Sequence, residues 1–235
     1  MGKQHIIAYR NNKGGVARTT LAAHTLFLGA ELGLKVAGVS LDEQNDLALW
    51  MQGANLPWFD GLCDDLPTDF DLLVFDVRKD SPLDEVLCLG VNLWLLPVDN
   101  TTAEEAALRL APTLRGPSGE RHVFRVCSYC HGDPPPEHEW SPELNSLNVV
   151  VRCCGLICAA ASQCVAVWST PLGAHSDGAR ALRAHGAEVL NKVGLLPPTH
   201  RVLELPPAPT KPLAELEREG AKRLAAFFTS MATVP

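Results

Sequence analysis

The sequence predicts an α/β fold, a doubly wound and mostly parallel sheet flanked by helices, and three observations lead there. Short apolar runs alternate along the chain with longer segments of helical spacing, the pattern of βαβ units joined by right-handed crossovers. The clearest of these runs is apolar at successive positions, as a strand buried on both faces requires. Between the first run and the first helix lies a glycine turn, NNKGG, a junction at which backbone N–H groups can cradle phosphate.

The elements follow in order. HIIAYR (5–10) is a buried strand leading into the glycine turn. Residues 19–33 have helical spacing, with Leu21, Leu28 and Leu32 recurring at intervals of seven and four and Gly33 as a stop. KVAGVS (35–40) is a second strand and DFDLLVFD (69–76) a third, continuously apolar from Leu72 to Phe75. Residues 81–89 form a short helix and VNLWLLPV (91–98) a fourth strand. A helix over 102–114 carries Glu104 and Glu105 in its first turn, where the helix dipole favours them. HVFRVC (122–127) and NVVVRC (148–153) are the fifth and sixth strands, separated by a proline-rich loop over 129–147. An amphipathic helix over 176–193 closes the set. The main domain is therefore placed at 1–200, and 201–235 is read as a proline-rich linker with a helical tail over 213–228.

The chain has 235 residues, 46% hydrophobic and 20% charged, enough to bury a substantial core. No apolar run reaches ~18 uncharged residues, so a membrane span is not expected. The eight cysteines, with no export signal before them, read as reduced cytosolic thiols, which places the protein in the cytoplasm. Cys127, Cys130 and His131 with Cys153, Cys154 and Cys158 make a zinc site conceivable, but Cys127, Cys153 and Cys164 fall in apolar stretches and are read as core. The net charge of −7 disfavours a protein that coats nucleic acid indiscriminately. It is uneven: residues 1–120 hold 9 Lys/Arg against 17 Asp/Glu, and residues 121–235 hold 11 against 10. An anionic partner would meet the second half.

The turn reads Asn11-Asn12-Lys13-Gly14-Gly15-Val16-Ala17-Arg18-Thr19-Thr20. Against the strict P-loop pattern G-x-x-x-x-G-K-[ST] it keeps only Thr19, with Asn12, Ala17 and Arg18 where Gly, Gly and Lys belong. It resembles a variant of that loop, the deviant Walker A K-G-G-x-x-K-T-[ST] of the ParA/MinD family, and matches it at Lys13, Gly14, Gly15, Val16, Thr19 and Thr20. Downstream, SLDEQNDL (40–47) resembles the family's D-x-D-P-Q segment, keeping Asp42 and Gln44. FDLLVFD (70–76) resembles its second acidic strand, ending in Asp76, and residues 95–108 and 170–190 resemble later elements. The resemblance spans about residues 3–195.

The resemblance implies a P-loop NTPase-like fold and an ATP-sandwich dimer using ATP/ADP and Mg²⁺. Lys13 would reach the phosphates of the other subunit, Gly14 to Thr20 would wrap the phosphates by main chain, and the Thr19 hydroxyl would hold Mg²⁺. Asp42 would orient the attacking water and Asp76 would support the metal through its water shell. Such a site works by positioning and charge neutralisation. The implied function is a partition or positioning switch, nucleoid-associated, that binds DNA non-specifically and answers to a ParB-like or cargo adaptor. Arg180, Arg183, Lys192 and Arg201 are the candidate DNA-binding residues. Three departures from the family pattern leave hydrolysis open: Arg18 for the in-cis lysine, Ala17 for a glycine, and DVRK (76–79) for its switch segment. A catalytically weak scaffold on the same fold is one alternative. The other is a MinD-like membrane switch using the tail, although a membrane partner is not the expected one.

Overall fold

The computed structural model describes residues 3–41, 44–61, 67–88, 90–116, 119, 121–129, 140–152 and 155–196. The apolar run after the N-terminus forms β1 (His5–Arg10), in which Ile7, Ala8 and Tyr9 have no solvent exposure. β1 pairs in parallel with β4 (Leu72–Val77) on one side and β5 (Leu93–Val98) on the other. β2 (Val36–Leu41) lies outside β4, followed by the short β3 (Trp58–Asp60). On the other side β6 (His122–Tyr129) lies outside β5 and pairs at its end with the two-residue β7 (Val151–Arg152). The described sheet is therefore all parallel, in the order β3-β2-β4-β1-β5-β6-β7.

Because successive side chains of a strand point to opposite faces, a strand covered on both sides must be apolar at every position. Ile7 and Tyr9 face one helical layer and Ala8 the other. The first layer holds α1 (Arg18–Glu31), α2 (Asp46–Gly53), α5 (Gly155–Ala161) and α6 (Asp177–Lys192), whose Leu21, Met51, Ile157 and Leu182 join Leu72 and Val74. The second holds α3 (Leu83–Leu87) and α4 (Thr101–Arg115), which bring Val86, Ala107 and Leu114 onto Leu73, Phe75 and Leu96. From β1 the chain moves outward to β2, returns to β4 and then crosses to β5 on the far side. The strand order reverses at β1, and open α/β sheets bind ligands outside the carboxyl ends of the strands at such a point.

Helices α1 and α6 pack closely because of Gly186, where a Cβ would lie 2.9 Å from Leu28 Cδ2. That approach buries a polar chain between them. His185 Nε2 lies 2.8 Å from the Tyr9 hydroxyl, which lies 2.7 Å from Thr25 Oγ1, and Thr25 donates to the Leu21 carbonyl at 3.0 Å.

Among the described residues each predicted strand and helix forms, with ends moved by at most three residues, except the sixth strand, of which only Val151–Arg152 is strand there. Asn148 and Val149 instead give their N–H groups to the Glu188 carboxylate of α6, which takes the place of a longer ladder. Helices α2 and α5 and strand β3 have no counterpart among the sequence expectations. All three are short and weakly periodic, and they exist by packing on neighbours that the local pattern does not name. The expectations for 130–139 and for the tail at 201–235 lie outside the described residues.

Candidate phosphate-binding site

The loop between β1 and α1 is fixed by two side chains, those of Asn11 and Ser128. Asn11, fully buried at the end of β1, donates from Nδ2 to the carbonyls of Pro97 at 2.5 Å and Ala103 at 3.3 Å. Its Oδ1 accepts the N–H of Lys13 at 3.0 Å. From the end of β6, Ser128 Oγ donates to the Val16 carbonyl at 2.8 Å. A Cβ added at Gly14 or Gly15 would meet no atom within 4 Å, so the space above the glycines is open. Gly15 has φ +77°. Helix α1 starts with no side-chain cap and no acidic residue in its first turn. A helix N-terminus so arranged favours an anion.

Ala17 precedes that helix in the left-handed region, at φ 59° and ψ 23°. An L-residue with a Cβ pays there about 1–2 kcal/mol. Ala17→Gly is therefore expected to raise stability by about 1 kcal/mol, seen as a melting temperature higher by roughly 2–4 °C. A variant no more stable than the parent would show that the loop relaxes the strain by other means.

Charged groups converge on the same place. Lys13 Nζ pairs with Asp99 just past β5, at 2.8 Å to Oδ1 and 3.1 Å to Oδ2. Asp76, on β4 beside Tyr9 of β1, has no exposure. One of its oxygens accepts from Arg18 Nε and the other from the Thr19 hydroxyl at 2.5 Å. Arg10, 4% exposed, caps the turn after β4 by donating to the carbonyls of Lys79 at 2.9 Å and Ser81 at 3.2 Å. Burial, followed by the nearby Arg18 charge, lowers its pKa.

Lys13, the segment Gly14–Thr20 and Asp76 thus meet at the carboxyl edge of the sheet, while Asp42 lies outside the described residues. Of the four basic candidates, Arg180, Arg183 and Lys192 lie among the described residues. Arg180 is exposed and paired with Asp177 one turn away. The Arg183 side chain is 4% exposed, held by both oxygens of Glu31 at 2.7 and 2.9 Å and stacked over Trp168 at 5.1 Å. Helical spacing puts Arg180 and Arg183 on one face, but α1 covers that face at Arg183. Lys192 lies 4.7 Å from the Phe124 ring centroid, and Arg201 is outside the described residues. Sequence reasoning missed Arg10, Asn11 and Asp99. Their one sequence signal is position, each at or just beyond the carboxyl end of a strand.

No protein-family model and no curated protein matches the chain. Solved structures do. MinD from Pyrococcus horikoshii OT3, complexed with Mg-ADP, superposes with a TM-score of 0.66 at 15% identity, covering 82% of this chain and 98% of that one. The fold is that of the MinD and ParA ATPases. A ParA family ATPase from Chlorobium tepidum TLS gives 0.60 at 9% identity, over 77% of this chain and 96% of its own. Apo McdA from Cyanthece gives 0.58 at 14%, over 79% and 99%. These structural neighbours thus include a septum site-determining protein and a ParA family ATPase. Among the described residues, no helix of this MinD/ParA-like chain is long and apolar enough to cross a membrane. Within the same described set no group of three or more His, Cys, Asp or Glu could hold a metal, and Cys127 is buried in the apolar layer under α4.

Proposed function

We propose that the chain is a nucleotide-operated positioning switch of the MinD/ParA kind, binding ATP or ADP at the Lys13–Thr20 loop and dimerising through that face. The observation that carries this reading is the meeting of an open glycine turn, an uncapped helix N-terminus and a buried carboxylate at the sheet's switch point. The main-chain N–H groups of Gly14 to Thr20 wrap the phosphates, where the helix dipole favours negative charge. Thr19 and Asp76 are a hydroxyl and a carboxylate, the hard oxygen donors Mg²⁺ takes elsewhere, but here both carboxylate oxygens are engaged, by Arg18 and Thr19. The ion, when bound, neutralises phosphate charge. Lys13 leaves Asp99 and reaches across the dimer, and Asp42 orients the attacking water. Arg180, Lys192 and Arg201 remain the residues through which DNA would be held without sequence readout, an affinity that must fall steeply with salt. The switch is released by a ParB-like or cargo adaptor.

Lys13→Ala tests this reading. Wild-type protein is expected to shift from monomer to dimer by light scattering on adding a non-hydrolysable ATP analogue, and the variant to stay monomeric. A variant that dimerises like the wild type refutes the role given to Lys13. The Arg18–Asp76 pair favours a second reading, a scaffold that binds nucleotide with little or no turnover. Phosphate release from Mg-ATP with and without duplex DNA separates the two: turnover raised by DNA supports the switch, and none in either condition supports the scaffold.

A further inference from the structure

We propose that Arg18 itself holds the cation place beside Asp76, so that nucleotide binding by this chain is nearly independent of a divalent cation. The inference rests on the nucleotide reading above for one arm of its test and stands without it for the other. A carboxylate with no exposure must be matched by positive charge and hydrogen bonds. Here both oxygens of Asp76 are already matched, one by the Arg18 guanidinium and the other by the Thr19 hydroxyl. Any ion entering between Thr19 and Asp76 must compete with a guanidinium that already neutralises the same carboxylate from the same loop. Mg²⁺ gives up its water reluctantly and is a poor competitor for such a place.

Local charge points the same way. A second guanidinium, that of Arg10, is buried close enough to act on Arg18. Arg10 and Arg18 are thus two neighbouring positive charges, and Asp80 acts on Arg10 from the other side. A third cation is unwelcome, whereas a phosphate anion is not. The exchange of lysine for arginine explains why the charge is drawn to Asp76. A guanidinium is planar, weakly hydrated and pre-formed for a carboxylate, and its further N–H donors can face a phosphate, whereas an ammonium is a compact, strongly hydrated point charge.

The test has two arms. In the first, the Kd of a fluorescent ADP is measured in 5 mM MgCl₂ and in 5 mM EDTA. Wild-type affinity is expected to differ by less than about 3-fold between them, and that of Arg18→Lys to weaken at least 10-fold in EDTA. A wild-type loss of 10-fold or more in EDTA overturns the proposal. The second arm uses no nucleotide and follows melting temperature in 10 mM MgCl₂ against NaCl of equal ionic strength. Wild type is expected to move by less than about 1 °C. Arg18→Gln is expected to melt lower and to regain at least half the loss with Mg²⁺, because the exposed carboxylate then takes the ion. If Arg18→Gln does not fold, Arg18→Lys serves here too, with the same expected gain. Variants no more responsive to Mg²⁺ than wild type overturn the proposal. Absence of ADP binding in both buffers, with Mg²⁺ rescue intact, refutes the nucleotide reading and leaves Arg18 in the cation place.

Discussion

Lowering the pH from 7.5 to 5 is expected to remove about 4 kcal/mol of folding stability, through two buried histidines. His24 is fully buried in α1 within a ring of Phe27, Trp50 and Trp168, at centroid distances of 5.2 to 5.6 Å. Its Nε2 accepts the Val167 N–H at 3.1 Å, so Nδ1 carries the proton and donates to the Thr20 carbonyl at 2.8 Å. A neutral ring satisfies both contacts, and a charged one would lose the first. Burial pushes its pKa down to about 4. His185, fully buried on α6, donates from Nε2 to Tyr9, since the Tyr9 proton goes to Thr25 and that of Thr25 to Leu21. Its Nδ1 has no partner, and burial, with the nearby His24, pushes its pKa down to about 3.

Both rings stay neutral in the folded protein well below the ordinary histidine value of 6.5, while the unfolded chain takes up protons there. The stability they allow is therefore complete above about pH 6.5 and is lost as pH falls toward the folded values. At pH 5 each costs about 2 kcal/mol. Denaturant midpoints at pH 7.5, 6 and 5 measure the loss. His185→Gln keeps a donor for Tyr9 and is expected to reduce the pH slope by about one proton. A wild-type midpoint unchanged between pH 7.5 and 5 would contradict the neutral, buried state of both rings.

Glu104→Ala is expected to cost about 3–5 kcal/mol, the range for breaking a buried ion pair by removing one partner. Arg125 of β6 points beneath α4, with its guanidinium over Trp140 at 4.8 Å and paired with Glu104. Each side chain is 6% exposed. Glu104 also accepts the Ser141 N–H at 2.9 Å, and Arg125 donates to Ser146 Oγ at 2.9 Å from Nε. Two charges and two loop residues are thereby held together under the helix. Without Glu104 the arginine stays buried and uncompensated, and the melting temperature is expected to fall by roughly 6–20 °C. Replacing both partners, Arg125→Met with Glu104→Leu, should recover most of the loss, because a buried pair is nearly neutral against well-packed apolar side chains. A single variant within about 1 °C of wild type would mean that water reaches the guanidinium.

Glu104 also shows where reading the sequence stops. Its place in the first turn of α4 makes a dipole role the natural one, yet the residue is buried because β6 delivers Arg125 beneath that turn. Arg183 is the same case in reverse: a basic residue on an amphipathic helix reads as solvated, and Glu31 and Trp168 take it inside. The His24 and His185 rings carry no sequence mark of their burial either.

The parallel α/β architecture is legible in the chain alone, since continuous apolar runs separated by helical periods have few other ways to bury both faces. So is the glycine turn, because a left-handed backbone and an open approach to a helix N-terminus restrict which residues can stand there. Which charges meet is set by the packing of the strands: Arg18 with Asp76, Lys13 with Asp99, Arg10 with the turn after β4. These pairs join residues 58 to 86 positions apart. Pairing at that range is set by which strands lie side by side, and local patterning carries no record of it.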